Sequence, residues 1–361
     1  MKQKTFYFRY VLLLLNILII QISFAQLTTN NNQNNYRAVL WNSADGLSLG
    51  KKNMMLKDIN GFLWLTSPVG LNRFDGSTFK IYYPEKNLPG AINGSYGFSL
   101  IEDSLHNIWI GTNKGLSRYD IKADTFKNFL PAFFSTESVA SIIPFWAARD
   151  EVYCIEAGNH IVAYNIHSFE KKILISLGKN APARNNDCIP QSIYDENSNS
   201  VWIMTGKHDV PGGGLLQVLL TEQKMIHHQW LCFKNIPHHA HFSYGMCYDP
   251  KRKSIWINST DGLIAFTLSN KKFHEVPACS DLANTKGYES IAGIELDLQG
   301  KLWLCTNSKG IVIYDPLLQR VTPIFTDSTP STKFLLITEP FTATAMVWSG
   351  AIISPQKGFI N

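Results

Sequence analysis

One phrase recurs along the chain at a nearly fixed interval: acid, short turn, aliphatic, Trp, aliphatic, Thr, turn with Gly, aliphatic, aromatic, Asp. Its clearest copies are LKDINGFLWLTSPVGLNRFD (Leu56–Asp75), IEDSLHNIWIGTNKGLSRYD (Ile101–Asp120) and LDLQGKLWLCTNSKGIVIYD (Leu296–Asp315). Aligned on the central aromatic, the copies fall at Trp64, Trp109, Tyr153, Trp202, Trp256, Trp303 and Trp348, in steps of 45, 44, 49, 54, 47 and 45 residues. A period of about 40–50 residues marks a propeller or a helical-pair solenoid, one supersecondary unit stacked many times.

Local patterning decides between them. Ile108-Trp109-Ile110 and Leu302-Trp303-Leu304 are short β-branched, Leu and aromatic runs bounded by Asn, Asp and Gly, which is strand patterning. After the first 25 residues no segment sustains a helical period over a helix-sized window. Each copy supplies four strands; in the second they are expected near 98–102, 107–112, 116–120 and 125–129. The turn between the first two opens with Asp58, Asp103 or Asp297, since Asp accepts backbone hydrogen bonds there. The turn between the second and third ends in Gly70, Gly115, Gly262 or Gly310. Four antiparallel strands per unit, repeated radially, predict an all-β fold, a seven-bladed β-propeller. The seven aromatics are expected to be structural, each filling the gap between neighbouring blades and burying about 150–250 Å².

Ring closure is also predicted. Tyr36–Asn42 stands where an outer strand would lie before Asp45-Gly46-Leu47-Ser48. Lys333–Thr338, Met346–Ser349 and Gly358–Ile360 resemble the first, second and third strands of a last blade. The N-terminal strand is expected to complete that blade, removing exposed sheet edges. Two blades are degenerate: the third has Tyr153 for Trp and Glu156 where others carry Thr, and the fourth carries the insertion Lys207–Gly213.

The chain divides into 1–25, a signal peptide; 26–35, a polar leader; and 36–361, the propeller. Lys2, Lys4 and Arg9 precede the apolar run Val11–Ile22, and Ser23-Phe24-Ala25 fits a cleavage site. This run of twelve residues, interrupted by Asn16 and Gln21, falls short of the ~18–20 apolar residues that a span needs. The processed protein is expected in the periplasm, with no transmembrane span. Losing those three basic residues lowers the formal net charge from +5 to +2, which argues against a nucleic-acid partner. The six cysteines show no framework spacing, and Cys154 and Cys305 read as small buried hydrophobes in strands.

The pattern D-x-x-G-x-(I/L)-W-(I/L)-G-T-x-x-G-(I/L)-x-x-(Y/F)-D resembles the two-component regulator propeller repeat. That repeat builds the extracytoplasmic sensor region of hybrid two-component histidine kinases in Bacteroidetes-type bacteria. The matching residues are Asp58, Gly61, Trp64, Thr66, Gly70, Leu71, Phe74 and Asp75 in the first copy. In the second they are Asp103, Trp109, Gly111, Thr112, Gly115, Leu116, Tyr119 and Asp120. In the sixth they are Asp297, Gly300, Trp303, Thr306, Gly310 and Asp315. The resemblance implies periplasmic sensing of a small ligand, often a carbohydrate fragment, with the signal passed to a kinase. No kinase motif or second span follows, so a truncated or split sensor is expected, or one working with a membrane histidine kinase or a second propeller.

In a propeller the loops between blades and the turns between second and third strands share one rim. Tyr96, Arg184, Tyr244 and Tyr288 lie in the inter-blade loops; Asn113, Lys114, Asn307 and Lys309 lie in the turns. These eight are the candidate ligand contacts: rings cover sugar C–H faces, and amides and cations bond hydroxyls. The histidines His227, His228, His238, His239 and His241 suggest zinc only weakly, because adjacent His238 and His239 would point to opposite faces of an extended chain. No metal or cofactor is expected. The recurring acids Asp58, Asp103, Asp195, Asp249 and Asp297 are one per blade and too dispersed for paired-carboxylate chemistry. Glu156, Asp187 and Glu289 lie near the rim, but nothing singles them out. No catalytic residue is expected. A ligand-sensing module, probing an oligosaccharide, leads; a glycosidase or lyase and a protein-binding scaffold are the rivals.

Overall fold

The computed structural model describes residues 37–50, 54–95, 97–131, 141–156, 160–177, 192–205, 214–222, 224–229, 245–259, 262–282, 291–306, 310–325, 334–338, 344–348 and 351–353. For 37–40 and for the strands after residue 325, only the backbone is described. The segments expected as signal peptide and leader, and the insertion Lys207–Gly213, lie outside these residues.

The first strand, β1, is Arg37–Trp41. Six four-stranded antiparallel sheets follow, each built in chain order from the inside out. Blade 1 is β2 (Met55–Lys57), β3 (Leu63–Ser67), β4 (Gly70–Phe74) and β5 (Phe79–Tyr82). Blade 2 is β6 (Gly97–Glu102), β7 (Ile108–Thr112), β8 (Gly115–Asp120) and β9 (Thr125–Phe129), each within a residue of its expected start and end. Blade 3 is β10 (Ile142–Ala148), β11 (Glu151–Glu156), β12 (His160–Asn165) and β13 (Lys171–Ser176). Blade 4 is β14 (Ser192–Asp195), β15 (Ser200–Thr205), β16 (Gly214–Leu219) and β17 (Lys224–Gln229). Blade 5 is β18 (Met246–Asp249), β19 (Ser254–Ser259), β20 (Gly262–Thr267) and β21 (Lys272–Glu275). Blade 6 is β22 (Ile291–Leu296), β23 (Leu302–Thr306), β24 (Gly310–Asp315) and β25 (Arg320–Phe325). The innermost strands lie beside one another around the ring.

The two ends of the chain form a further sheet, in the order β1, β26 (Phe334–Thr338), β27 (Thr344–Trp348), β28 (Ala351–Ile353). Trp41 pairs with Phe334 and Arg37 with Thr338, antiparallel. The inner position is held by β28, which lies against β22 and β2. This corrects the strand assignment: the strand expected at Lys333–Thr338 as the first of the blade is Phe334–Thr338, the neighbour of β1 and not the innermost strand, and the one expected at Met346–Ser349 runs Thr344–Trp348. Weak repeat identity at this end left the order of its strands unspecified. Gly358–Ile360 lies outside the described residues.

The recurring ring wedges each blade against the next. Trp64 packs with Ile108, Ile110, Tyr119 and Phe126 of blade 2. Trp109 meets Ile142, Val152, Val162 and Tyr164 of blade 3. Trp202 reaches Met246, Ile255, Ile257 and Phe266 of blade 5, and Trp256 reaches Leu302, Leu304 and Tyr314 of blade 6. Trp303 is buried too. Tyr153 departs from this: it is half-buried, tilts against Trp146 at 4.5 Å, and Trp146 stacks on Tyr194 of blade 4 at 3.5 Å between ring centroids. The side chain of Trp348 lies outside the described residues.

The recurring Asp does more than shape its turn. Asp58 accepts the backbone N–H of Asn60 and Phe62 and, at 2.8 Å, the indole N–H of Trp64. Asp103 takes the indole of Trp109 at 2.7 Å, Asp249 that of Trp256 at 3.2 Å and Asp297 that of Trp303 at 3.1 Å. A buried indole N–H usually finds such an acceptor. The Asp-to-Trp spacing of six or seven residues carried this signal in the sequence. The closing Asp of the phrase shapes the turn between the third and fourth strands: Asp75, Asp120 and Asp315, and Asn165 in blade 3, accept N–H bonds from the residues two and three ahead.

Candidate functional site

The described part of the expected rim includes the junction of blades 1 and 2. After β5 the chain crosses to blade 2, and Phe126 N–H donates to Gly90 O at 2.8 Å. The loop then turns inward and is clamped to the β7–β8 turn. Asn93 donates through its side-chain amide to Lys114 O at 3.2 Å and accepts from Thr112 Oγ1 at 2.7 Å and Ser117 Oγ at 2.8 Å. Asn128 ties the same loop through Ala91 O at 2.9 Å. Inter-blade loop and turn therefore do share one rim here, as a rigid hydrogen-bonded ledge.

Asn113 and Lys114 sit at the tip of that turn. Lys114 is exposed, and Lys114 N–H is held by Thr112 Oγ1 at 3.2 Å. Asn113 is half-buried, and its Oδ1 is buried without a hydrogen-bond partner. Of the eight candidate contacts these two are the ones the structure describes, and they are neighbours. Tyr96, Arg184, Tyr244, Tyr288, Asn307 and Lys309 lie outside the described residues.

The recurring hydroxyl of the phrase is structural. Ser67, Thr112 and Thr306 donate to the carbonyls of Gly70, Gly115 and Gly310 at 2.9, 3.2 and 2.9 Å, closing the turn. This corrects the alignment of the first copy, where Ser67 and not Thr66 is the equivalent. Thr66 instead links blades, accepting from Met54 N–H at 3.0 Å and donating to Gly97 O at 3.1 Å. The turn glycine has its own reason, since a Cβ on Gly115 would collide with the Phe129 carbonyl.

Other candidates resolve plainly. Glu156 is buried and ion-paired with Lys171 at 2.9 Å, while Asp187 and Glu289 lie outside the described residues. His228 packs at 5.4 Å from Trp202 and meets Gln217 Oε1 at 3.3 Å. Among the described residues no three His, Cys, Asp or Glu side chains could hold a metal ion. Cys154, Cys247, Cys279 and Cys305 are buried and form no disulfide with one another; burial pushes the Cys279 thiol up to about 12. No described helix is long and apolar enough to cross a membrane.

On the outer side of the blade 1–2 junction, Asp124 gathers Lys80, Tyr82 and Tyr119. The tyrosine hydroxyls donate to it at 2.8 and 2.7 Å, and Arg73 donates to Tyr119 at 3.0 Å. Burial opposes ionisation of Asp124, but the bonds from Lys80, Tyr119 and Tyr82 outweigh it and hold the carboxyl at about 2.

No family model matches the chain, and no curated protein matches it significantly. Solved structures do. One is the extracellular domain of BT3049 from B. thetaiotaomicron, assigned to a hybrid two component system. It aligns at TM-score 0.63 and 19% identity, over 88% of this chain and 41% of its own. That of BT4673 from the same organism aligns at TM-score 0.63 and 15% identity, over 90% and 40%. Virginiamycin B lyase from Staphylococcus aureus aligns at TM-score 0.59 and 12% identity, over 88% and 98%. The chain spans about two fifths of the length of the two B. thetaiotaomicron domains. At these identities the likeness is one of fold: the chain is an all-β propeller similar to the extracellular domains of hybrid two-component systems.

Proposed function

We propose that this chain is a periplasmic ligand-sensing propeller of a two-component pathway, taking an oligosaccharide on its rim and signalling through a membrane histidine kinase. The observation that carries the reading is the repeated phrase folded into blades with the architecture of the B. thetaiotaomicron extracellular domains. The ledge of Asn93, Asn113 and Lys114 adds support, because a hydrogen-bonded rim that presents an exposed lysine suits hydroxyl recognition. In this reading the chain is a receptor without turnover of its own.

The reading includes a closed seven-bladed ring with β1 as the outer strand of the last blade. Internal equivalence supports it. Trp41 packs on Phe74 and Phe79 at 4.9 and 5.9 Å, as Tyr82 at the end of β5 packs on Tyr119 and Phe126 at 5.4 and 5.3 Å. Ser48 bonds Asn72 and Ser67 as Asn93 bonds Ser117 and Thr112. Calorimetric titration with a panel of plant and host glycan fragments tests the function. Binding by one fragment, weakened by Lys114→Ala or Asn113→Ala, is expected; folded protein giving no heat with any of them removes the carbohydrate reading.

The near end-to-end alignment with the lyase favours a second reading, an enzyme of glycosidase or lyase type. Product formation on the same panel, abolished by changing one rim carboxylate, would replace the sensor with it.

A further inference from the structure

The face opposite the rim carries the turns between first and second strands and between third and fourth strands. On blade 6 it presents Leu298, Leu317 and Leu318, which are 51%, 79% and 64% exposed. The leucine pair is held out rigidly: Asp315 accepts the N–H groups of Leu317 and Leu318 at 2.9 and 3.2 Å. The fold does not ask for leucine there. The same turn, with the same acceptor geometry, carries Ser77 and Thr78 in blade 1, Lys122 and Ala123 in blade 2, and His167 and Ser168 in blade 3.

Basic residues frame this patch. Lys251 Nζ donates to Leu298 O at 3.2 Å, so the first turn of blade 5 lies directly against it. Lys251, Lys253 and Arg320 are exposed, and in these turns of blades 5 and 6 no described carboxylate is exposed. Asp315 lies 4.0 Å from Lys301, and Asp249 is buried against Arg252 at 2.7 Å. The corresponding turns of blades 3 and 4 are mixed instead, exposing Asp150, Glu170, Glu196 and Glu222 beside Arg149 and Lys224.

We propose that this face of blades 5 and 6 docks peripherally on an anionic lipid surface, Leu298, Leu317 and Leu318 entering the interface while Lys251, Lys253 and Arg320 meet the headgroups. Apolar side chains at a rigid tip ringed by cations suit that partner, each side chain adding buried area and each cation a contribution from the negative surface potential.

The test is cosedimentation of the full chain with vesicles of phosphatidylglycerol and phosphatidylethanolamine in equal parts, against phosphatidylcholine vesicles. Binding is expected to the anionic vesicles and to fall with salt. Leu317→Ser with Leu318→Thr, or Lys253→Glu with Arg320→Glu, should weaken it by about tenfold or more. Ile173→Ser, at an exposed apolar residue on the outer strand of blade 3, should leave it unchanged. Equal binding by wild type and both double variants overturns the proposal, as does equal binding to phosphatidylcholine. A lipid-free dimer that the leucine changes dissolve also overturns it, giving the face to a second copy of the chain.

Discussion

Blades 2 and 3 solve the same packing problem with different chemistry. In blade 2 one indole does everything: Trp109 is fully buried, fills the gap to blade 3 and hands its N–H to Asp103. In blade 3 the work is divided. Tyr153 is half-buried with its hydroxyl donated to Glu151 at 2.6 Å, and the ring that reaches the next blade is Trp146 from the innermost strand. Blade 4 is intermediate: Trp202 is fully buried and well packed, but its N–H has no hydrogen-bond partner among the described residues, while Asp195 takes Ser198 at 2.6 Å and Tyr248 at 3.1 Å. A flat ring between twisted sheets is therefore the requirement, and the carboxylate beneath it is a local solution to burying a donor.

Three measurements press on that contrast. The largest effect belongs to the wedge itself. Trp109→Ala should cost about 3–5 kcal/mol in denaturant unfolding, and Tyr153→Ala about half as much because its ring is already partly in water. Equal losses would mean that the divided packing of blade 3 is as tight as that of blade 2. A smaller effect separates ring from N–H. Trp109→Phe should cost about 1–3 kcal/mol more than Trp202→Phe, since only the former leaves a buried carboxylate short of a donor. Parity would place a bonding partner at Trp202 after all. The smallest concerns Asp124 at the blade 1–2 junction. Its folded carboxyl is held at about 2, below the ordinary value of about 3.9. Its contribution is thus complete above about pH 4 and is lost as pH falls through about 2. Asp124→Asn should flatten the drop in melting temperature between neutral and acidic buffer, and an unchanged slope would remove this carboxylate from the acid response.

The ruler of aromatics was enough to place most strands, because a wedge ring, an acid in the first turn and a glycine in the second each answer to a separate local need. What escaped was where those needs overlap. Asp58 and Asp103 looked like turn residues alone, since bonding to an indole six residues ahead leaves no mark beyond a spacing. Thr66 and Ser67 both carry a hydroxyl, and the three-residue step from Trp64 to Ser67, as from Trp109 to Thr112 and Trp303 to Thr306, agrees with the pairing of Ser67 with Gly70 in telling them apart. Tyr153 was read as a poor copy, when the substitute ring lay in a different strand. On the rim, the sequence placed Asn113 and Lys114 at an accessible turn tip; that the adjoining loop would be locked by Asn93 depends on contacts some twenty residues apart, which no local pattern records.

The pairing of Trp41 with Phe334 sets a schedule for biosynthesis. The first of the described strands to emerge has β26 as its hydrogen-bonding neighbour, so it must wait for that neighbour while the six blades between them are made. Contacts this distant in sequence form slowly. Until β26 is made that backbone edge stays open, and a chaperone that shields residues 37–41 would find its substrate there.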